Sequence, residues 1–157
     1  MKKLLFLLCL LSWSALNAQK TINRPPFIAK ATETIEIAAV YLSDTATVID
    51  VDAKFTPKYW IRIAPATCLV ADNGERYQVR QGVGIELGQE FWMPESGEAT
   101  FSLIFPPLPP SVKSFDFVEG EGERDFNLFG ISLTGKLPKL QLPKGLEKAG
   151  KMTAVAL

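Results

Sequence analysis

The chain has 157 residues, room for one modest domain plus extensions. Its 17 basic residues balance 17 acidic ones, so its charge argues against nucleic acid and against a general membrane-surface role. It contains no histidine, which excludes Ser-His-Asp and Cys-His nucleophilic catalysis and the usual histidine-containing zinc sites.

The N-terminus carries an address. Met1, Lys2 and Lys3 form a short positive region, residues 4–11 are an unbroken apolar run, and residues 12–18 turn small and polar. That order is a secretory signal peptide, expected over 1–18 with cleavage after Ala18. The run is far shorter than the roughly 20 apolar residues of a membrane helix, so no span is expected after cleavage. Cys9 follows Leu8 rather than a small residue, which argues against a lipid anchor. The expected address is exported, in the periplasm or on the cell surface. Loss of Lys2 and Lys3 leaves 15 basic against 17 acidic residues, a net charge near −2. The remaining cysteine, Cys68, has no internal disulfide partner. Its neighbours Leu69 and Val70 favour a buried, inert thiol over an exposed one that pairs with another protein.

Residues 19–33 read as an N-terminal arm, interrupted at Pro25-Pro26. Short β runs follow. Residues 34–42 are rich in Ile, Val and Tyr. Residues 46–55 alternate, with Thr47, Ile49, Val51, Ala53 and Phe55 on one face and Asp50, Asp52 and Lys54 on the other. Residues 59–64 form a further candidate. Residues 68–72 and 75–81 flank Asn73-Gly74, the signature of a two-residue type I′ hairpin. Tyr77 and Val79 then face one way, and Arg76, Gln78 and Arg80 the other.

Residues 99–105 give the clearest core strand, with Ala99, Phe101, Leu103 and Phe105 on one face. Pro106-Pro107 and Pro109-Pro110 end it, because proline cannot donate to a ladder. Residues 114–118 place Phe115 and Phe117 inward, and residues 127–133 place Phe129, Ile131 and Leu133 inward. About seven to nine short strands without helical periodicity predict an all-β fold. The expected architecture is an immunoglobulin-like antiparallel β-sandwich over residues 34–134. Residues 135–157 read as a mostly irregular, linker-like tail rich in Lys, Leu and Pro, with a weak helix as one option for residues 146–157.

Several clusters invite a functional reading. The loop Glu119-Gly120-Glu121-Gly122-Glu123-Arg124-Asp125 is oxygen-rich, yet its spacing does not match a calcium-binding helix-loop-helix, and a solvated loop is expected. Residues 82–88 carry Gly82, Gly84 and Gly88, but no helix follows to receive a phosphate, so a turn is expected. Asp50 and Asp52 share a face, as a carboxylate pair for acid/base work would; Lys54 beside them favours a charged exterior. Glu95 and Glu98 flank a surface turn. Tyr59, Trp60, Phe91 and Trp92 form either a stacking platform for sugars or, the favoured expectation, core aromatics. Neighbours on a strand face opposite ways, so one ring of each dipeptide is expected outside.

Certain blocks also carry a resemblance. These are Arg24-Pro25-Pro26-Phe27-Ile28-Ala29, residues 32–37, Tyr59-Trp60-Ile61-Arg62-Ile63-Ala64, and the long stretch of residues 90–109 with its core Trp92-Met93-Pro94-Glu95-Ser96-Gly97-Glu98, followed by residues 114–119. Over roughly residues 24–133 the chain resembles the N-terminal β-sandwich that precedes a thioredoxin-like domain in exported bacterial disulfide reductases of the TlpA type. The resemblance implies the fold and the extracytoplasmic address. It does not carry over the activity, which in that family resides in a Cys-x-x-C pair absent here. On this reading the tail is the beginning of an interdomain linker.

The expectation is therefore a non-enzymatic exported module for protein or cell-envelope interaction. No catalytic, cofactor-binding or metal-binding residue is assigned, and no cofactor is expected. An orphaned accessory domain of a thioredoxin-like thiol–disulfide oxidoreductase, docking such a domain as its partner, or a fragment of such an enzyme with no function of its own, is the second expectation. A carbohydrate-binding or hydrolytic sandwich is the third.

Overall fold

The computed structural model describes residues 20–122 and 124–138. The signal peptide and its cleavage site, and residues 139–157 of the tail, lie outside the described residues. Within them the chain forms β1 (Lys20–Asn23), β2 (Ala29–Lys30), β3 (Ile35–Leu42), β4 (Thr47–Lys54), β5 (Trp60–Ile61) and β6 (Cys68–Ala71). There follow β7 (Arg76–Gln78), β8 (Gln81–Val83), β9 (Phe91–Trp92), β10 (Glu98–Phe105), β11 (Ser114–Val118) and β12 (Asn127–Ser132). Among the described residues no helix is long and apolar enough to cross a membrane.

The fold is all-β. One five-stranded sheet runs β1-β3-β4-β10-β8, a second runs β2-β12-β11-β6-β7, and β5 and β9 make a separate two-stranded ribbon. Every pairing is antiparallel. In immunoglobulin lettering, β3-β4-β10-β8 stand as A-B-E-D and β12-β11-β6-β7 as G-F-C-C′.

Side-chain alternation drives the two sheets together. Thr47, Ile49, Val51 and Ala53 of β4 are buried, as are Phe101, Leu103 and Phe105 of β10 and Phe115 and Phe117 of β11. Each such apolar side chain contributes roughly 1.5–3 kcal/mol by leaving water. The sheets meet where Phe105 and Phe117 pack edge to face, with ring centroids 6.3 Å apart and planes at 78°. Thr47 is the polar member of the inward face. Its Oγ1 accepts the Leu108 N–H at 3.1 Å, so the hydroxyl is satisfied inside the core.

The sequence pattern fails in five places, each with a local cause. The arm is not irregular: β1 joins the edge of the first sheet beside β3, and β2 joins the second beside β12, with Pro25-Pro26 between them. Phe55 follows the parity of β4 but lies beyond its last residue and is exposed. The Asn73-Gly74 hairpin exists, but its loop is Asp72-Asn73-Gly74. Ala71 and Glu75 close it, Gly74 donates to Ala71 O, and Gly74 alone has positive φ, at 86°. That is a type I turn with a glycine bulge rather than type I′. Asn73 Oδ1 accepts the Glu75 N–H at 2.9 Å, which its side chain is short enough to do.

Residues 75–81 are not one strand. Val79 donates its N–H to Thr67 O at 2.8 Å, whereas Arg80 donates to Ile104 O at 2.7 Å, so the chain leaves one sheet for the other between adjacent residues. Finally, Phe129 is exposed and Leu128 is buried in its place. Phe115 opposes Ile131 but Phe117 opposes Leu128, which leaves an extra residue on β12. Gly130 takes φ +64° there, and the bulge reverses the alternation.

Candidate functional site

Three of the four aromatics on which the sequence was ambiguous are outside. Tyr59 is 62% exposed, Trp60 42% and Trp92 60%. The expectation that this group is mainly core is corrected: only Phe91 turns inward, setting its ring 6.4 Å from that of Phe101. The cause is the ribbon. Ile61 and Met93 are buried, so their neighbours Trp60 and Trp92 must face solvent.

Trp60 and Trp92 are direct cross-strand partners. Met93 donates its N–H to Tyr59 O at 2.8 Å, which makes the neighbouring 59/93 position the hydrogen-bonding one. Trp60 and Trp92 therefore occupy a non-hydrogen-bonded position, where opposed side chains leave the backbone closest together. A turn delivers the chain into this ribbon. Tyr59 donates to Thr56 O at 3.2 Å, with Pro57 second and Lys58, at φ +63°, third. This is the pattern of a type II turn, with lysine where glycine is usual. Lys58 then pairs with Glu95 at 3.1 Å across the ribbon's end.

Trp60 also borders a cleft of about 490 Å³, whose other walls include Phe55, Arg62, Glu119, Arg124 and Asp125. Glu119 is the pivot. Its Oε1 accepts the Ala64 N–H at 2.7 Å and its Oε2 the Phe126 N–H at 2.8 Å. Burial pushes its carboxyl above the usual range; those two bonds and the Arg62 charge pull the other way, and Asp125 adds to the rise. So the loop expected to be solvated is tied down at both ends. Asp125 Oδ2 takes the Gly122 N–H at 2.7 Å, and Asn127 Oδ1 takes the Glu119 N–H at 2.9 Å. The oxygens of Glu119 and Asp125 meet backbone donors, and among the described residues no group of acidic or cysteine side chains is arranged to hold a metal ion.

The sequence singled out Trp60 and Glu119 separately and did not bring them together. It missed Phe55, whose parity pointed inward, and Arg62. The signal was not local: Phe55 and Trp60 lie either side of the Lys58 turn, and Glu119 comes from the far end of β11.

The remaining candidates are scattered. Asp50 and Asp52 share the outer face of the first sheet, but each has its own partner. Asp50 accepts the Ser102 hydroxyl at 2.6 Å, and Asp52 pairs with Arg24 at 2.8 Å. The Asp50 carboxylate also holds the Tyr41 phenol above its usual range. Glu98 pairs with Lys54 at 3.2 Å. Residues 82–88 form an edge strand and turns, with Gly84 and Gly88 at positive φ. Cys68 is buried, but outside the main core: Leu69 and Ala71 point into the sandwich, and Cys68 lies on the opposite face of β6. There Arg76 Nη2 sits 3.1 Å from its sulfur.

Compared with known proteins, the chain matches no family model, no curated protein and no solved structure.

Proposed function

We propose that this chain is an exported, non-catalytic binding module whose contact surface is the β5–β9 ribbon. The observation that carries the reading is the outward-facing Trp60–Trp92 pair. Exposing two opposed indoles, and the neighbouring Tyr59 phenol as well, forgoes burial that a sandwich of this size would otherwise use. Large aromatics with one polar atom are also the residues most enriched at recognition surfaces. The carboxylates that suggested acid/base work are held apart in separate hydrogen bonds and ion pairs, which supports a role without chemistry of its own.

The test is site-specific photo-crosslinking in the cell envelope, with the reactive residue placed at Trp92 or, as a control, at Lys113. Trp92 should give a discrete adduct that disappears in a Tyr59→Ala/Trp60→Ala background, and Lys113 should give none. Equal background labelling at both positions would refute the reading. An adduct containing a Cys-x-x-C protein would assign the module to a thioredoxin-like partner, in keeping with the resemblance in the sequence.

A further inference from the structure

We propose that the cleft between Trp60 and the 119–126 loop binds an uncharged carbohydrate, a sugar ring lying on Trp60 and Phe55 with its hydroxyls reaching Arg62, Glu119 and Arg124. This deepens the reading of the module as a binding protein and rests on it. Three features of the cleft converge on that ligand class.

The first is the pair of unused aromatic faces. Trp60 is 42% and Phe55 40% exposed, and neither belongs to the aromatic contacts of the interior, which are Phe91–Phe101 and Phe105–Phe117. A ring face carries the negative side of the aromatic quadrupole and attracts weakly positive C–H bonds. One side of a pyranose is a sheet of such bonds.

The second is charge. Among the described residues the walls bring two guanidinium groups, Arg62 and Arg124, and two carboxylates, Glu119 and Asp125. Their formal charges cancel, which disfavours a strongly anionic or cationic ligand. None of the four forms an ion pair within the described residues. Donors and acceptors therefore stand side by side without consuming each other. A sugar hydroxyl both donates and accepts, and suits such a mixed rim.

The third is shape and support. A cleft of about 490 Å³ falls in the size range of small-ligand sites and would hold one or two sugar units. Glu119 is held in place by the Ala64 and Phe126 amides, one on each carboxylate oxygen, and each oxygen keeps accepting capacity for a ligand. Preorganisation of this kind lowers the cost of ordering side chains on binding.

The test is titration of the full chain with four neutral hexasaccharides, built from β-1,4-glucose, β-1,3-glucose, N-acetylglucosamine and mannose, followed by tryptophan fluorescence. Hexagalacturonate serves as the charged control. At least one neutral sugar should saturate the signal, and 0.5 M salt should leave its affinity within about twofold, as expected where no net charge is neutralised. Trp60→Ala should weaken it at least about tenfold, the scale of a lost stacking anchor. Trp60→Phe should recover part of the loss, and Lys113→Ala, outside both the cleft and the ribbon, should change it less than about twofold. No saturation by any neutral sugar at 10 mM, tighter binding of the charged control, or unchanged affinity in a folded Trp60→Ala variant would each overturn the proposal. If sugars fail while Trp92 still crosslinks in the envelope, the binding module stands and only the carbohydrate falls.

Discussion

Gly130 donates its amide N–H to Asp116 Oδ1 at 2.7 Å, bridging β12 to β11 inside the bulge that reverses the alternation of β12. Gly130 combines φ +64° with a backbone so close to Ile28 that an added Cβ would lie 2.5 Å from that side chain's end. Gly130→Ala should therefore cost roughly 1–3 kcal/mol, the strain of a left-handed non-glycine residue plus whatever Ile28 must yield. Asp116→Ala leaves the amide without its partner and should cost a similar roughly 1–3 kcal/mol. Urea unfolding of both variants checks this, and a loss under about 0.5 kcal/mol in each would show that the bulge is not held by this bond.

The exposed ribbon and the buried core should respond very differently to truncation. Phe105 is fully buried between the sheets, so Phe105→Ala should lose roughly 3–5 kcal/mol. Trp92, the larger side chain, is 60% exposed, and Trp92→Ala should stay within about 1 kcal/mol. Denaturant midpoints at equal m-value decide it. A Trp92→Ala loss as large as that of Phe105→Ala would place the indole in the core.

Arg76 shares a face of the β6–β7 pair with Cys68, and its Nη2 lies 3.1 Å from the sulfur. In the native protein an aromatic disulfide reagent should label Cys68 slowly. Arg76→Ala should speed labelling by about tenfold or more by uncovering the thiol, with little loss of stability for a surface residue. Equal rates in the two proteins would mean that access is governed by opening of the sheet instead.

Glu119 sets a pH dependence whose sign follows from its environment. Burial raises its pKa in the folded protein above the unfolded value. Folding therefore favours the protonated acid. The contribution is fully present below the unfolded pKa and is lost as pH rises through the folded one. The fall in stability from this group over the pH range above about 4.3, the ordinary glutamate value, should vanish in Glu119→Gln, which cannot ionise. The readout is the difference in urea midpoint between variant and wild type across that range; a constant difference would show that the carboxyl is not shifted.

Alternation made the centre of the sandwich legible. In β4 and β10 the partner strands are long and regular, so parity alone places Ile49, Val51, Phe101 and Leu103 inside. The same rule misplaced Phe129, because one inserted residue at Gly130 inverts every parity before it in the strand, and the bulge is defined by β11 rather than by β12 itself. The ribbon was illegible for a related reason. In strands of two residues, parity gives two equal answers, and only the burial of Ile61 and Met93 against the sandwich selects one. The cleft joins Phe55 and Trp60, on either side of the turn at Lys58, to Glu119 from the end of β11, and no periodicity in the sequence spans such separations.

The first described residues close both open sheets at once, β1 on one edge and β2 on another, and this has a consequence for how the molecule assembles. Lys30 pairs with Leu128, so the partner of β2 is β12, the last of the described strands in chain order. Until β12 is in place β2 has no edge to join, and the loop to be closed is nearly the whole domain, an entropically slow event. β1 can pair early with the nearby β3, whereas β2 waits unpaired for β12, so the closing contact is a clasp in which the end of the described domain catches a strand near its beginning.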